Sequence, residues 1–155
     1  MSEIETDTLH RQVRLQVGEF EADVDEELAP LLEQLAKAGI NTLMSCQENR
    51  PGIAWITFSR VNDLGRFLEI VGAYEPDGTS LYRRITGDAE EGGWEYELYP
   101  MDAGMHYEES KDGVTEEGPG GPPCFCFQAS VRFPRTDLPI LLERMTQYNA
   151  WLDAV

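Results

Sequence analysis

The sequence predicts an α+β fold, two-layer, with a mainly antiparallel sheet and helices packed on one face. Three observations predict it. Segments of period two outnumber segments with apolar steps of three and four, the strands occur in neighbouring runs rather than alternating with helices, and the segment Cys124 to Phe133 carries one wholly apolar face. With 155 residues, of which 41% are hydrophobic, the chain can fill one core. The expected organisation is a flexible start over 1–8, where nothing apolar offsets the entropy of ordering, and a single domain over 9–155.

In chain order, Val13, Leu15 and Val17 alternate with Arg14, Gln16 and Gly18, which predicts a half-buried strand from Gln12 to Phe20. Leu28, Leu31, Leu32, Leu35 and Ala38 recur at helical steps up to Gly39, with Asp23 or Asp25 as the cap and Pro30 tolerable only near the first turn. Ile40 to Cys46 and Ile53 to Ser59 read as an antiparallel hairpin around the turn chemistry of Gln47 to Gly52. Val61, Leu64, Phe67, Leu68 and Val71 then mark a second helix closed by Gly72, with Asn62 or Asp63 as its cap.

Thr79 to Thr86 reads as a strand. Trp94 to Tyr99 reads as another, with Trp94, Tyr96 and Leu98 on one face, and Met101 to Tyr107 as a short addition. Residues 108–123, rich in Gly and Pro, are expected to form a mobile loop within the domain. In the strand from Cys124 to Phe133, the residues Phe125, Phe127, Ala129, Val131 and Phe133 are expected in the core, while Cys124, Cys126, Gln128, Ser130 and Arg132 face away. Thr136 or Asp137 starts a last helix with the buried stripe Leu138, Leu141, Leu142, Met145, Tyr148 and Leu152. The runs Leu28-Ala29-Pro30-Leu31-Leu32-Glu33 and Leu138-Pro139-Ile140-Leu141-Leu142-Glu143 form a faint internal echo, which suggests two related strand-helix units.

Composition narrows function. Asp and Glu number 29 against 12 Lys and Arg, for a formal charge of −17. Such a surface repels a phosphate backbone, so no direct nucleic-acid partner is expected, whereas a basic protein partner is compatible with it. No stretch approaches the roughly 18 consecutive apolar residues that a membrane span needs, and the acidic opening from Met1 to Asp7 is unlike a signal peptide, so the expected location is cytoplasmic with no membrane association. Three cysteines, Cys46, Cys124 and Cys126, are too few and too odd in number for a disulfide framework, and free thiols are expected.

Chemistry-bearing patterns are sparse. There is no phosphate-cradling glycine loop followed by Lys and Ser or Thr, and no Gly-x-Ser-x-Gly elbow. Of the two histidines, His10 lies near the flexible end, so histidine acid-base work would rest on His106. Zinc could use Cys46, Cys124, Cys126 and His106, but the Cys-x-Cys spacing is unlike common structural sites, and no metal or cofactor is expected. Glu95 and Glu97 alternate with aromatic residues as a solvated outer face does. The segment from Gly39 to Gln47 instead places hydroxyl, thiol and amide groups where a strand runs into a turn, a position able to aim them at a small ligand.

The run from Val24 through Leu35, Gly39-Ile40, Thr42 and Ser45-Cys46-Gln47 resembles uncharacterised small acidic proteins of actinobacteria and their phages, in which a helix precedes a Gly-Ile-x-Thr-x-x-Ser-Cys strand. The likeness covers about residues 24–59 and implies no activity. Thr42, Ser45 and Cys46 are also distantly similar to a motif of the wybutosine-pathway tRNA methyltransferases, although the Ser-Gly-Arg that follows it there is missing. That similarity implies a ligand-facing role for Ser45 and Cys46 and nothing catalytic.

The expected function is a non-enzymatic binding or regulatory module with a small-molecule or nucleotide pocket near the Ser45-Cys46-Gln47 turn. The expected ligand-binding residues are Ser45, Cys46, Gln47, Arg50, Cys126, Gln128, Ser130 and Arg132, with Arg132 as the local cation for an anionic group. The alternative is an acidic interaction protein, a phage-type anti-defence inhibitor or nucleic-acid mimic, that blocks a basic surface on a partner. An S-adenosylmethionine-dependent enzyme comes third.

Overall fold

The structure, a computed structural model, describes residues 10–73, 80–87, 91–102, 108–110, 113–115 and 124–155. It is an α+β fold. Strands β1 (Gln12–Val17) and β2 (Phe20–Asp25) form an antiparallel hairpin where a single strand was expected from Gln12 to Phe20. The reason is Gly18, whose φ of 58° supplies the left-handed conformation that a two-residue hairpin turn requires. Helix α1 (Ala29–Lys37) follows, with Pro30 in its first turn and Leu31, Leu32 and Leu35 buried. Neither Asp23 nor Asp25 caps it. Both lie in β2, and the N-cap is Leu28 without a side-chain bond.

Strand β3 (Thr42–Arg50) pairs with β4 (Ile53–Phe58), and the turn is only Pro51-Gly52 rather than Gln47 to Gly52. Pro51 and Gly52, the latter at φ 75°, suit the central positions of a type II turn, so Gln47 to Arg50 stay in the strand. Helix α2 (Val61–Val71) has Arg60 at its N-cap, not Asn62 or Asp63. The Asp63 carboxylate accepts the Asn41 backbone N–H at 3.1 Å instead.

The segment expected as a strand from Thr79 to Thr86 contains a short helix, α3 (Leu81–Ile85). Its β-branched and aromatic composition is overruled by the four-residue step between Leu81 and Ile85, which buries both on one side. Strand β5 (Glu95–Asp102) extends past the expected end at Tyr99; residues 103–107, including His106, lie outside the described residues. Within the stretch expected as a loop, β6 (Glu108–Ser110) and β7 (Gly113–Thr115) pair antiparallel, while 111–112 and 116–123 lie outside the described residues, as do 1–8. Strand β8 (Phe125–Pro134), a single 3-10 turn over Arg135–Asp137 and helix α4 (Leu138–Ala154) complete the chain.

The main sheet runs β3-β4-β8-β5, antiparallel throughout. Its central rows pair Ala54 with Phe133, Ile56 with Val131 and Phe58 with Ala129, all fully buried. Helix α2 lies on β4 and β8, and α4 packs on both α1 and α2. Stacked rings of Phe58, Phe67, Trp94 and Phe133, with centroids 5.0 to 6.2 Å apart, run through the core. The two echo helices, α1 and α4, pack against each other, and the Asn149 amide donates to the Gln34 carbonyl at 2.9 Å. Their preceding strands, β2 and β8, belong to different sheets, so the echo is not a duplicated unit.

The face of β8 follows the expected alternation, but its burial does not. Ala129, Val131 and Phe133 are inside, while Phe125 and Phe127 are 62% and 45% exposed. On β5, Leu98, the register partner of Ala129, is 58% exposed, although Trp94 is buried. Periodicity sets which way a side chain points; it does not ensure that a helix lies above it. The α4 stripe ends early in the same way, with Leu152 exposed beyond the Asn149 contact.

These exposures separate two phenylalanines of one strand face. Phe133→Ala is expected to cost about 3 to 5 kcal/mol and Phe127→Ala about 1 kcal/mol or less, measured by denaturant unfolding. Equal losses would mean that the outer half of β8 is covered after all.

Candidate functional site

The residues expected to bind a ligand divide among three places. On the sheet face opposite the helices, Cys46, Trp55, Arg132 and Glu95 follow one another across β3, β4, β8 and β5 as register partners. Arg50 and Arg132 line a shallow cavity of about 490 Å³ there, together with Asn49, Glu95, Tyr96 and Glu97. Arg132 donates to Glu97 at 2.7 Å and to the Asn49 side-chain oxygen at 3.0 Å, and its guanidinium lies 5.9 Å from the centre of the Trp55 ring. Arg50 is paired with Glu95. A carboxylate already occupies the place that an anionic ligand would take at each cation, so binding there must first displace an ion pair.

The other β8 residues lead away from this cavity. Ser130 is fully buried beside the Tyr99 hydroxyl, at 3.4 Å, and Gln128 contacts the Met101 sulfur at 3.7 Å. Cys126 lies six residues along β8 from Arg132, about 20 Å in an extended strand, so Cys46 and Cys126 do not share a site. Ser45 pairs with the core residue Ile56 and therefore points to the helix side. The expected composite of all eight residues is not assembled.

Cys46 and Gln47 take part in a different cluster. The Asp25 carboxylate, 4% exposed, accepts the Gln47 backbone N–H at 2.9 Å and the Gln12 amide at 3.3 Å. His10 Nδ1 lies 3.4 Å from Asp25 Oδ2 and 3.7 Å from Cys46 Sγ. The Gln47 side-chain oxygen accepts the Glu27 backbone N–H at 3.0 Å, which ties the middle of β3 to the start of α1. His10, expected near a flexible end, is thus half-buried against β2 and β3. Nothing in the sequence signals this, because the contact spans 36 positions.

A further place, to which no sequence expectation is attached, lies among the helices. Between α2 and α4 lies a cavity of about 490 Å³, lined by Arg66, Glu69 and Ile70 from α2, by Ala73 just beyond its end, and by Arg144, Gln147, Tyr148 and Trp151 from α4. Arg144 is 8% exposed and donates to the Val71 carbonyl at the C-terminal end of α2, where a cation suits the helix dipole. Arg66 donates to the Tyr148 hydroxyl at 3.5 Å, and the Tyr148 and Trp151 rings sit 6.1 Å apart. Trp151 is 61% exposed. The expected stripe of α4 includes Tyr148; the same spacing that suggests core here forms a cavity wall.

Two carboxyls of the sheet are held below the ordinary value of 4.5: Glu48 by the Gly52 N–H and then by Arg135, and Glu97 by the Tyr99 hydroxyl and then by Arg132. Each lowered group contributes stability that is present above pH 4.5 and is lost as pH falls through its folded-state value. A Glu48→Gln/Glu97→Gln variant is therefore expected to melt below the wild type at pH 7, with the gap narrowing as pH falls below 4.5. Circular dichroism melts across that range check this; a gap independent of pH would assign the loss to something other than ionisation.

The chain matches no family model, and its comparison with curated proteins and with solved structures yields no significant match to either.

Proposed function

We propose that the chain is a non-enzymatic ligand-binding module whose site is the cavity between α2 and α4, and that its ligand is a planar ring system carrying an anionic group, the chemical class that includes nucleotides. The observation that carries this reading is the gathering of two arginines and two aromatic rings at one concave site in a chain of formal charge −17. A cation is needed to attract an anion against that background, and a cavity of this size falls within the usual range of about 300 to 1,000 Å³ for small-molecule sites. The rings of Tyr148 and Trp151 offer a stacking surface, and Arg66 stands beside them. Among the described residues the lining holds no serine, cysteine, histidine or lysine.

Melting curves of the full chain against nucleoside monophosphates, S-adenosylmethionine and simple aromatic carboxylates test the reading. A ligand present at a hundred times its Kd adds about 2.7 kcal/mol of stability, which is easily seen as a rise in Tm. The rise should disappear in Arg66→Ala and Trp151→Ala while their unliganded melts stay near the wild type. A rise that survives both substitutions but is lost in Arg132→Ala would move the ligand to the sheet face. No rise with any of these compounds would remove the small-molecule reading.

One observation favours the alternative of an acidic interaction protein. Phe125, Phe127 and Leu98 are exposed on one side of paired strands, and Asp102 is the register partner of Phe125. Apolar anchors beside a carboxylate suit a basic protein surface. Such binding would weaken with salt and be lost in Phe125→Ser/Phe127→Ser, whereas the cavity variants would leave it intact.

A further inference from the structure

We propose that His10, Asp25 and Cys46 form a binding site for one zinc ion, supplying three of its ligands from among the described residues. The three ligand atoms, an imidazole nitrogen, a carboxylate oxygen and a thiol sulfur, lie within 4.8 Å of one another. Tetrahedral zinc, with bonds near 2.0 to 2.1 Å to nitrogen and oxygen and about 2.3 Å to sulfur, requires ligand-to-ligand separations of about 3.3 to 3.6 Å. The observed 3.4 Å between His10 Nδ1 and Asp25 Oδ2, and 3.7 Å between His10 Nδ1 and Cys46 Sγ, fall close to two of those edges, and the third, between Asp25 and Cys46, is within 4.8 Å.

The arrangement distinguishes a metal site from a catalytic relay. A Cys-His-Asp relay places the carboxylate on one ring nitrogen and the thiol on the other, so that each hydrogen bond has its own proton. Here both groups approach the same atom, Nδ1. One hydrogen there can serve both only as a divided and weakened bond, whereas a cation at the centre of the three satisfies them together. The set of one thiolate, one imidazole and one carboxylate suits zinc and is too soft for magnesium or calcium.

The surroundings supply what a metal site needs beyond its ligands. Asp25 is held by the Gln47 N–H and the Gln12 amide, which fix its carboxylate where it stands. The His10 and Asp25 side chains are 12% and 5% exposed, so the carboxylate is already largely stripped of water. The site also explains why a histidine at the very start of the described chain is packed against β2 and β3. This inference does not depend on the ligand proposed for the α2–α4 cavity.

The test is zinc titration of the full, chelator-stripped chain against a chromophoric zinc chelator, with Co²⁺ as a spectroscopic stand-in. The 29 carboxylates will collect zinc weakly, so the reading turns on one equivalent that depends on Cys46. The expected result is one tight equivalent, a thiolate-to-cobalt charge-transfer band, and a melting temperature raised by zinc. All three should be lost in Cys46→Ser and in His10→Gln, with affinity falling by more than the roughly hundredfold that removing a mere supporting group costs. The Cys124→Ser/Cys126→Ser variant should keep all three. Far-ultraviolet circular dichroism of the apo variants checks that they fold, and His10→Gln, on the outermost described residue, serves if Cys46→Ser does not. Zinc retained in His10→Gln, absence of the charge-transfer band, or no stoichiometric binding by the wild type would overturn the proposal.

Discussion

Two carboxylates that the fold takes out of water set much of its tertiary arrangement. Asp25 and Asp137 are each 4% exposed. A carboxylate so placed costs several kcal/mol unless donors replace its hydration. For Asp137 the donors are the Trp94 indole N–H at 2.9 Å and the fork of the Arg84 guanidinium. That one group therefore joins α3, the start of β5 and the start of α4, segments separated by 43 and 53 positions. Asp25 does the same on the other side: through the Gln47 N–H and the Gln12 amide it holds the β1-β2 hairpin to β3, although β2 and β3 belong to different sheets. The aromatic row of Phe58, Phe67, Trp94 and Phe133 gains its definition from this, because the indole is fixed at one end by Asp137 while its ring stacks at the other.

The same carboxylates show where sequence reading reaches its limit. Apolar steps of three and four residues located α1, α2 and α4, and alternation located β8, because those patterns are imposed by burial along one face. Asp25 and Asp137, each just ahead of a leucine-rich helix, look like N-caps by local rule. In the structure neither helix has a side-chain cap bond, since both carboxylates are engaged with distant donors. A cap is a local bond of modest worth, and a buried acid answers first to whichever donors bury it. Phe125 and Phe127 carry the parallel lesson for strands: their side was legible, whereas the reach of the helical layer was not.

The candidate sites were legible to different degrees for the same reason. The middle of β3 stood out through its own residue types, Ser45, Cys46 and Gln47, yet its partners His10 and Asp25 could be found only once the hairpin folded back on it. Glu95 and Glu97 read as a solvated outer face, and they do lie on one; what the pattern could not give is that they neutralise Arg50 and Arg132. The α2–α4 cavity arises between two amphipathic helices whose sequences each read as ordinary core-facing stripes.

In a chain this acidic, where the arginines go is more informative than where the acids are. Carboxylates are abundant enough to surround any cation, and most arginines are used that way: Arg14 with Glu21 and Asp23, Arg135 with Glu27 and Glu48, Arg84 with Asp137, Arg132 with Glu97 and Arg50 with Glu95. Arg135 makes the longest-range of these pairs, to Glu48 and Glu27 at 87 and 108 positions, and so fastens the β8-α4 corner to β3 and to the segment just before α1. Arg66 joins none of these pairs. It stands over aromatic rings, on a helix whose Glu69 is one turn away, yet its observed bond is to the Tyr148 hydroxyl. Among the described residues Arg66 has no carboxylate partner, and a cation so placed in a negative field retains its capacity to hold an anion, which is the ground on which the α2–α4 cavity is proposed as the ligand site.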